Sequence, residues 1–228
     1  PTPQGRVTMR FAFTDDQLLF SSALRDLLDN ECPPAAVRAA WDDESGHIAH
    51  LWSRLAEMGV LSILVPESAG GLGGTFVDAI LLFQELGRAA VPGPVLEHMA
   101  VAAPALAQTS WAPGLVDGST IATVHLDFEP FVAHAACSHL IVTSRGVLSD
   151  FTAIDAHGVD GGRRIATVSG GTLTSVASNG LAPADALALA ASAYLIGVSE
   201  RMISMAADYA RQREQFGKPI GSFQAVKH

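Results

Sequence analysis

Apolar positions recur at helical spacing through the first half of the chain. Thr14-Asp15-Asp16-Gln17 reads as a helix start, with Thr14 as N-cap and Gln17 reaching back to it. Behind it, Leu18, Leu19, Ala23, Leu24, Leu27 and Leu28 predict one buried face, and Pro33-Pro34 breaks the helix. A second helical stretch carries Leu51, Leu55 and Met58 and stops at Gly59. Residues 66–74, rich in glycine, read as a flexible loop before a helix that Thr75 and Asp78 are placed to cap. Its stripe is Ala79, Leu82, Phe83 and Leu86. Gly87 and residues 92–94 punctuate the chain before an Ala-rich helix predicted from Val95 to Ala107.

After Trp111 the period changes. Thr120–Val124, Leu140–Val142 and Ile165–Val168 are short β-branched runs between turn residues, which predicts strands. From Pro183 the helical pattern returns and holds to Gln215. Leu187, Leu195, Ile196, Val198, Met202, Ile203, Met205 and Ala206 cover much of its circumference, so burial against several partners is expected. Arg211 and Arg213 suit its C-terminal dipole, and residues 216–219 end it. Ser222 is expected to cap a further helix that the sequence leaves unfinished. The reading is an α+β chain, mainly α. Residues 8–118 form a helical domain, 119–180 a small β domain and 181–228 the first part of a second helical bundle; Pro1–Val7 is a flexible arm.

Composition narrows the classes. The 228 residues are 49% hydrophobic and 16% charged, which excludes intrinsic disorder. Fourteen basic against 23 acidic residues, without a basic cluster, argue against a nucleic-acid surface. No uninterrupted apolar run reaches the roughly 18 residues of a membrane span, and no export signal is seen, so cytoplasm is expected. Cys32 and Cys137 cannot build a disulfide scaffold or a multi-thiolate metal site, and neither has a cationic sequence neighbour. His47 with His50, and His134 with His139, lack companions at metal-ligand spacing, so no metal site is expected. The glycine run is not G-x-G-x-x-G, and no G-x-S-x-G elbow occurs.

Three segments carry a resemblance to a known family. Arg213-Glu214-Gln215-Phe216-Gly217-Lys218-Pro219-Ile220-Gly221-Ser222-Phe223-Gln224-Ala225-Val226 resembles the R-x-Q-F-G-x-P-I-x-x-F-Q-x-V signature of acyl-CoA dehydrogenases. Pro66-Glu67 to Arg88 is similar to the family's P-E-x-x-G-G-x-G…E-L-G-R-A segment, and Phe13-Thr14-x-x-Gln17 to its opening. The resemblance implies an FAD cofactor, an acyl-CoA substrate, an electron-transfer flavoprotein-like acceptor and a homo- or hetero-tetramer. It also implies that Arg213, Gln215, Phe216, Phe223 and Gln224 bind flavin across a subunit interface. An arginine fork suits the pyrophosphate, the phenylalanines offer apolar faces and the glutamines hydrogen-bond polar edges.

The middle domain departs from the family pattern. Phe128-Glu129-Pro130 stands as a vestige of the T-E-P-x-x-G-S-D loop, without the Gly-Ser-Asp, and no tryptophan after Trp111 supplies the W-I-T/S-N loop. Either those loops are deleted or flexible residues are left out of this sequence. The family base is a glutamate, which usually lies beyond the position of His228. In a minority of members it stands at the start of the long helix, where this chain has Leu187, with Ala188 beside it and Asp185 on another face. No catalytic residue is therefore assigned. The chain most resembles the smaller, site-degenerate subunits of heteromeric dehydrogenases that oxidise steroid side-chain thioesters in actinobacteria. A homotetrameric enzyme and a flavin-free helical interaction protein remain the alternatives.

Overall fold

The first helix, α1 (Asp15–Glu31), starts at a reciprocal cap. Thr14 Oγ1 accepts from the Gln17 amide at 3.2 Å, and Gln17 Oε1 accepts from the Thr14 amide at 2.8 Å. The structure is a computed structural model that describes residues 12–43, 46–156, 158–176 and 181–228; the predicted arm Pro1–Val7 lies outside the described residues. Pro33-Pro34 does more than break α1. Pro34 occupies the first position of a further helix, α2 (Pro34–Asp42), where its missing amide is harmless. Helix α3 (Ala49–Glu57) follows and is stopped as predicted near Gly59, whose φ is +78°.

Residues 66–74 are not a flexible loop. Gly73 and Gly74 donate backbone hydrogen bonds of 2.8 Å to Val65 and Ile63, and a Cβ on Gly71 would stand 2.2 Å from the Val65 carbonyl. The segment folds back on the turns at residues 59–65 and delivers the chain to α4 (Phe76–Arg88), capped by Thr75 and Asp78 as expected. The predicted α4 stripe, Ala79, Leu82, Phe83 and Leu86, is buried throughout. On α1 only Leu24 and Leu28 are fully buried, with Ser21; Leu18 and Leu19 are exposed. Helix α4 meets α1 along a narrow stripe, and those two leucines lie off it.

Polar ties fix α1 to α4. Gln17 Nε2 donates to Asp78 Oδ1 at 2.7 Å, so the two helix starts are joined. Asp78 is held below the usual carboxylate range by the Thr75 hydroxyl first and Gln17 second. At the other end Glu85, buried, accepts from Arg25 Nε at 3.0 Å, Arg25 Nη2 at 2.5 Å and Arg88 Nε at 2.8 Å. Arg88 Nη2 reaches Asp29 at 2.8 Å. A buried carboxylate needs partners of this quality to be tolerated.

The helix predicted from Val95 to Ala107 is three pieces: α5 (Val95–Glu97), a π-helical segment (His98–Ala102) and α6 (Ala103–Ala105). The Ala103 amide bonds back to His98, and Pro104 has no amide with which to restore the tighter spacing. After α7 (Ala112–Val116) come β1 (Ala122–Val124), β2 (Val132–Ala133), β3 (Leu140–Thr143), β4 (Gly146–Ala156) and β5 (Ile165–Thr174), in the order β1-β3-β4-β5-β2. Only the β1–β3 pair is parallel. The sheet curls until its edges meet, where buried Thr123 Oγ1 donates to the Ala133 carbonyl at 2.7 Å. The long strand β4 escaped sequence detection because its pattern is half-buried and broken at Asp150, which has a φ of +54°.

Buried His98 joins the sheet to the helices. Its Nε2 lies 3.0 Å from the Leu115 carbonyl, its Nδ1 accepts from the Ala122 amide at 3.3 Å, and Trp52 packs edge-on at 5.0 Å. Burial pushes its pKa down to about 4, so the neutral imidazole donates through Nε2.

Helix α8 (Pro183–Gln212) crosses α4 at a contact of backbone on backbone. A Cβ on Gly197 would stand 1.9 Å from the Gln84 carbonyl oxygen, and one on Gly87 2.0 Å from that of Tyr194. Ala186, Ala190, Ala193 and Gly197 are its buried residues. Of the burial against several partners that was expected, this chain supplies only that stripe; Leu195, Ile196, Met202, Ile203, Met205 and Tyr209 are exposed in it. By length and composition this 30-residue helix would also pass as long and apolar enough to cross a membrane, which uninterrupted-run counting missed. The helix ends at Gln212, not Gln215, because Glu214–Gln215 pair as β6 with β7 (Lys218–Pro219). Ser222 is no N-cap; it lies in a 3-10 turn and donates to the Pro219 carbonyl, ahead of α9 (Gln224–Lys227).

Gly197→Ala should destabilise by about 1–3 kcal/mol in urea unfolding, although alanine is the better helix former by about 1 kcal/mol. An unchanged midpoint would show that the crossing has slack. His98 predicts an acid limb. Its folded pKa lies below the ordinary 6.5, so its contribution is complete above pH 6.5 and is lost as pH falls towards about 4. The loss is on the order of 3 kcal/mol, and His98→Gln should flatten that part of the stability profile.

Candidate functional site

At the end of α8 the backbone reverses in two residues. Phe216 (φ +55°) and Gly217 (φ +75°) are both left-handed, the geometry of a type I′ hairpin turn. The turn closes β6 on β7 through the pairs Glu214 with Pro219 and Gln215 with Lys218. The Ile220 amide then donates to the Arg213 carbonyl at 2.8 Å, pinning the hairpin's base. Glycine suits such a position; phenylalanine does not, and a bulky residue held there stores about 1–3 kcal/mol of strain.

Phe216 gains little from its own chain in return. Its side chain is 92% exposed, and its one ring neighbour among the described residues is Phe223, edge-on at 6.2 Å. Lys218 Nζ stands 4.4 Å over the Phe223 ring. Arg213 caps α8 in extended conformation with an exposed side chain, and Gln215 and Gln224 are exposed. The structure therefore brings the predicted Phe216 and Phe223 into contact and places Arg213, Gln215 and Gln224 on the same short unit. It adds Lys218, which sequence reading had passed over because it occupies a variable position of the signature. Two aromatic rings, the cations of Arg213 and Lys218, and two amides match a dinucleotide's rings, phosphates and polar edges. The residues fit the flavin that the signature implies.

A second feature lies at the opposite end of α8. A cavity of about 530 Å³ opens between the loop before α4, the end of α6, strands β3 and β4, and the first turn of α8. Its walls include Phe76, Val101, Val142, Val147 and Ala186, with Thr75, Thr143 and Ser144 as polar groups; no described residue lining it is ionisable. Leu187, the position of a possible base, is half-buried and packs into the main core, and Ala188 is exposed. Asp185 is exposed in the first turn of α8, as a dipole partner would be.

The remaining candidates are structural. Burial pushes the thiols of Cys32 and Cys137 up to about 11, which leaves them protonated and unreactive. Among the described residues no group of three His, Cys, Asp or Glu side chains is placed to hold a metal ion.

A helical layer, a small curled sheet and a long helix ending in this hairpin define a three-part dehydrogenase fold. Residues 14–110 match the family model for the acyl-CoA dehydrogenase N-terminal domain, and 184–228 that for the C-terminal domain. The chain is 34% identical over 226 residues to acyl-CoA dehydrogenase IpdE2 of Mycobacterium tuberculosis, covering 94% of this chain and 70% of the relative. Among solved structures, the ChsE4-ChsE5 complex of the same organism aligns with TM-score 0.75 and 25% identity, over 96% of this chain and 73% of that one. A steroid ACAD aligns with TM-score 0.74 and 24% identity, over 93% and 71%. The chain belongs to the acyl-CoA dehydrogenase family.

If Phe216 is kept for a contact outside the chain, removing it should not harm the fold. Phe216→Gly is expected to keep or raise the melting temperature, because strain at the turn disappears and only one ring contact is lost. A clear drop would assign the ring to internal packing.

Proposed function

We propose that this chain is the non-catalytic subunit of a heteromeric acyl-CoA dehydrogenase. In this reading it lends Arg213, Gln215, Phe216, Phe223 and Gln224 to an FAD shared with a full subunit, which performs the α,β-dehydrogenation of an acyl-CoA thioester. The observation that carries the reading is Phe216, strained at φ +55° and 92% exposed at the tip of a pinned hairpin. Such an arrangement is maintained for something outside the chain.

Three further observations support it. The cavity beside the start of α8 is lined without an ionisable side chain, so none of the described residues lining it is placed to remove a proton. Where functional groups would stand, Leu187 packs against the core and Ala188 is an exposed methyl group. One structural neighbour is itself a two-component complex, and another is described as a steroid ACAD, which makes a steroid-derived acyl group the substrate class we favour. Bound flavin would supply the hydride acceptor. This chain's residues bind and orient it: Arg213 grips the pyrophosphate, the two rings shield it from water, and the glutamines hold its polar edges. Reoxidation falls to an electron-transfer flavoprotein-like acceptor. The exposed apolar residues of α8 offer the tetramer contact, and two free thiols suit a reducing cytoplasm.

The test is to purify the chain alone and with its full-length partner, recording flavin absorbance and acyl-CoA-dependent dye reduction. Colourless protein alone and a yellow, active mixture are expected. Yellow, active protein alone would return the chain to the homotetrameric enzymes, and no colour in either would make it a flavin-free scaffold. In the complex, Arg213→Ala should weaken flavin retention about tenfold or more, the worth of a charge-assisted hydrogen bond.

A further inference from the structure

A smaller cavity of about 190 Å³ lies where all three parts of the fold meet, apart from both features above. Helix α2 contributes Val37 and Trp41, α5 contributes Leu96 and Glu97, the sheet contributes His134, and α8 contributes Tyr194. Asp160 and Arg163, from the turn between β4 and β5, edge it.

One polar side chain here is deeply buried and under-used. His134 is 4% exposed, and its Nδ1 has no hydrogen-bond partner. Its backbone is fully engaged: the amide donates to the Arg164 carbonyl at 2.7 Å, and its carbonyl accepts from Cys137 and Ser138. The imidazole is thus held in place by its main chain while the ring is left to make a contact elsewhere. A buried polar atom left without a partner in this way is destabilising. Tyr194 is half-buried, and its hydroxyl makes no hydrogen bond among the described residues. Two residues of this cavity, Ala90 (φ +51°) and His134 (φ +58°), belong to the four non-glycine residues with positive φ among those described. Strain of that sort gathers at ligand clamps.

Charge selects the ligand class. Glu97, 4% exposed, has its carboxylate matched by Arg163 Nη1 at 3.0 Å. Asp160 is exposed, and its Oδ1 is occupied by the Gly162 amide at 2.8 Å. Burial lowers the pKa of His134 and keeps the ring neutral, so it offers one N–H and one acceptor nitrogen. Among the described residues lining the cavity, no buried cation is left over for an anion. An apolar wall of Val37, Leu96 and the Trp41 indole completes the lining. Half-exposed Trp41 and Arg163 stand at the mouth, with Gly161 and Gly162 against the indole, so entry needs no break in the core.

We propose that this cavity binds a small uncharged organic molecule bearing a hydroxyl or carbonyl oxygen, which hydrogen-bonds to His134 and Tyr194 while its carbon skeleton lies against Trp41. The site is independent of the hairpin and of the proposed subunit role.

The test uses the full chain with cyclohexanol, cyclohexanone and cyclohexanecarboxylate as probes, followed by NMR at the His134 ring and the Trp41 indole. Saturable shifts with the two neutral probes, and none with the carboxylate, are expected. Tyr194→Phe removes only the hydroxyl and should weaken binding about fivefold, the worth of one hydrogen bond. His134→Asn, chosen because asparagine tolerates a left-handed backbone, should weaken it similarly; Tyr194→Phe decides the matter if that variant does not fold. The proposal fails if the neutral probes do not saturate and the cavity holds water alone. It fails equally if the carboxylate binds as well as they do, or if the folded variants bind like the parent.

Discussion

The crossing of α4 over α8 is the contact on which the rest of the molecule depends. At Gly87 and Gly197 each helix presses on the other's main chain, closer than any side chain would permit. Alanines at 186, 190 and 193 extend the same stripe. With so little side chain between them, the helices have little freedom to rock or slide. That matters because the hairpin lies some fifteen residues beyond Gly197, about 22 Å along the helix axis. A small rotation at the crossing would become a displacement of several ångströms at Phe216.

The α1–α4 ties serve the same end from the other side. Gln17 to Asp78 and Arg25 to Glu85 to Arg88 lock the helix against which α8 rests. Residues of two of the three family-like segments, Thr14, Gln17, Asp78, Glu85 and Arg88, are spent on this interlock. They brace the scaffold and touch no candidate site. Only the third segment, from Arg213 onward, points away from the chain.

Local signals were the legible ones. Both reciprocal caps, the α4 stripe, the glycine stop after α3 and three strand cores follow from short-range chemistry and were read correctly. The failures share a cause: each depended on something distant in sequence. Leu18 and Leu19 looked like core until the narrow approach of α4 decided otherwise. The glycine run looked loose because its partners, Ile63 and Val65, are held by backbone bonds that leave no pattern in side chains. The apolar circumference of α8 implied burial, yet within this chain only its glycine and alanine stripe is covered. Within the site, Phe216 and Phe223 could be named from the signature, whereas the strain at Phe216 and the proximity of Lys218 are products of the turn. His98, His134 and Glu97 carried no motif at all. Their significance lies in burial and in the partners they find or lack.

The hairpin and the cavity at the far end of α8 are physically separable, and this bears on how such a chain comes to exist. The cavity is walled by aliphatic side chains whose exchange for one another costs packing energy only, and the position that could hold a base now holds Leu187, which joins the core. An ionisable group buried there would carry a desolvation cost that Leu187 avoids. The hairpin gives no comparable return. Phe216 stays in an unfavourable conformation with its ring in solvent, and a single exchange for glycine would relieve it. A chain free of outside obligations would drift towards that exchange. One end of α8 is settled in packing while the other is strained, an asymmetry that agrees with the proposed service to another subunit's cofactor.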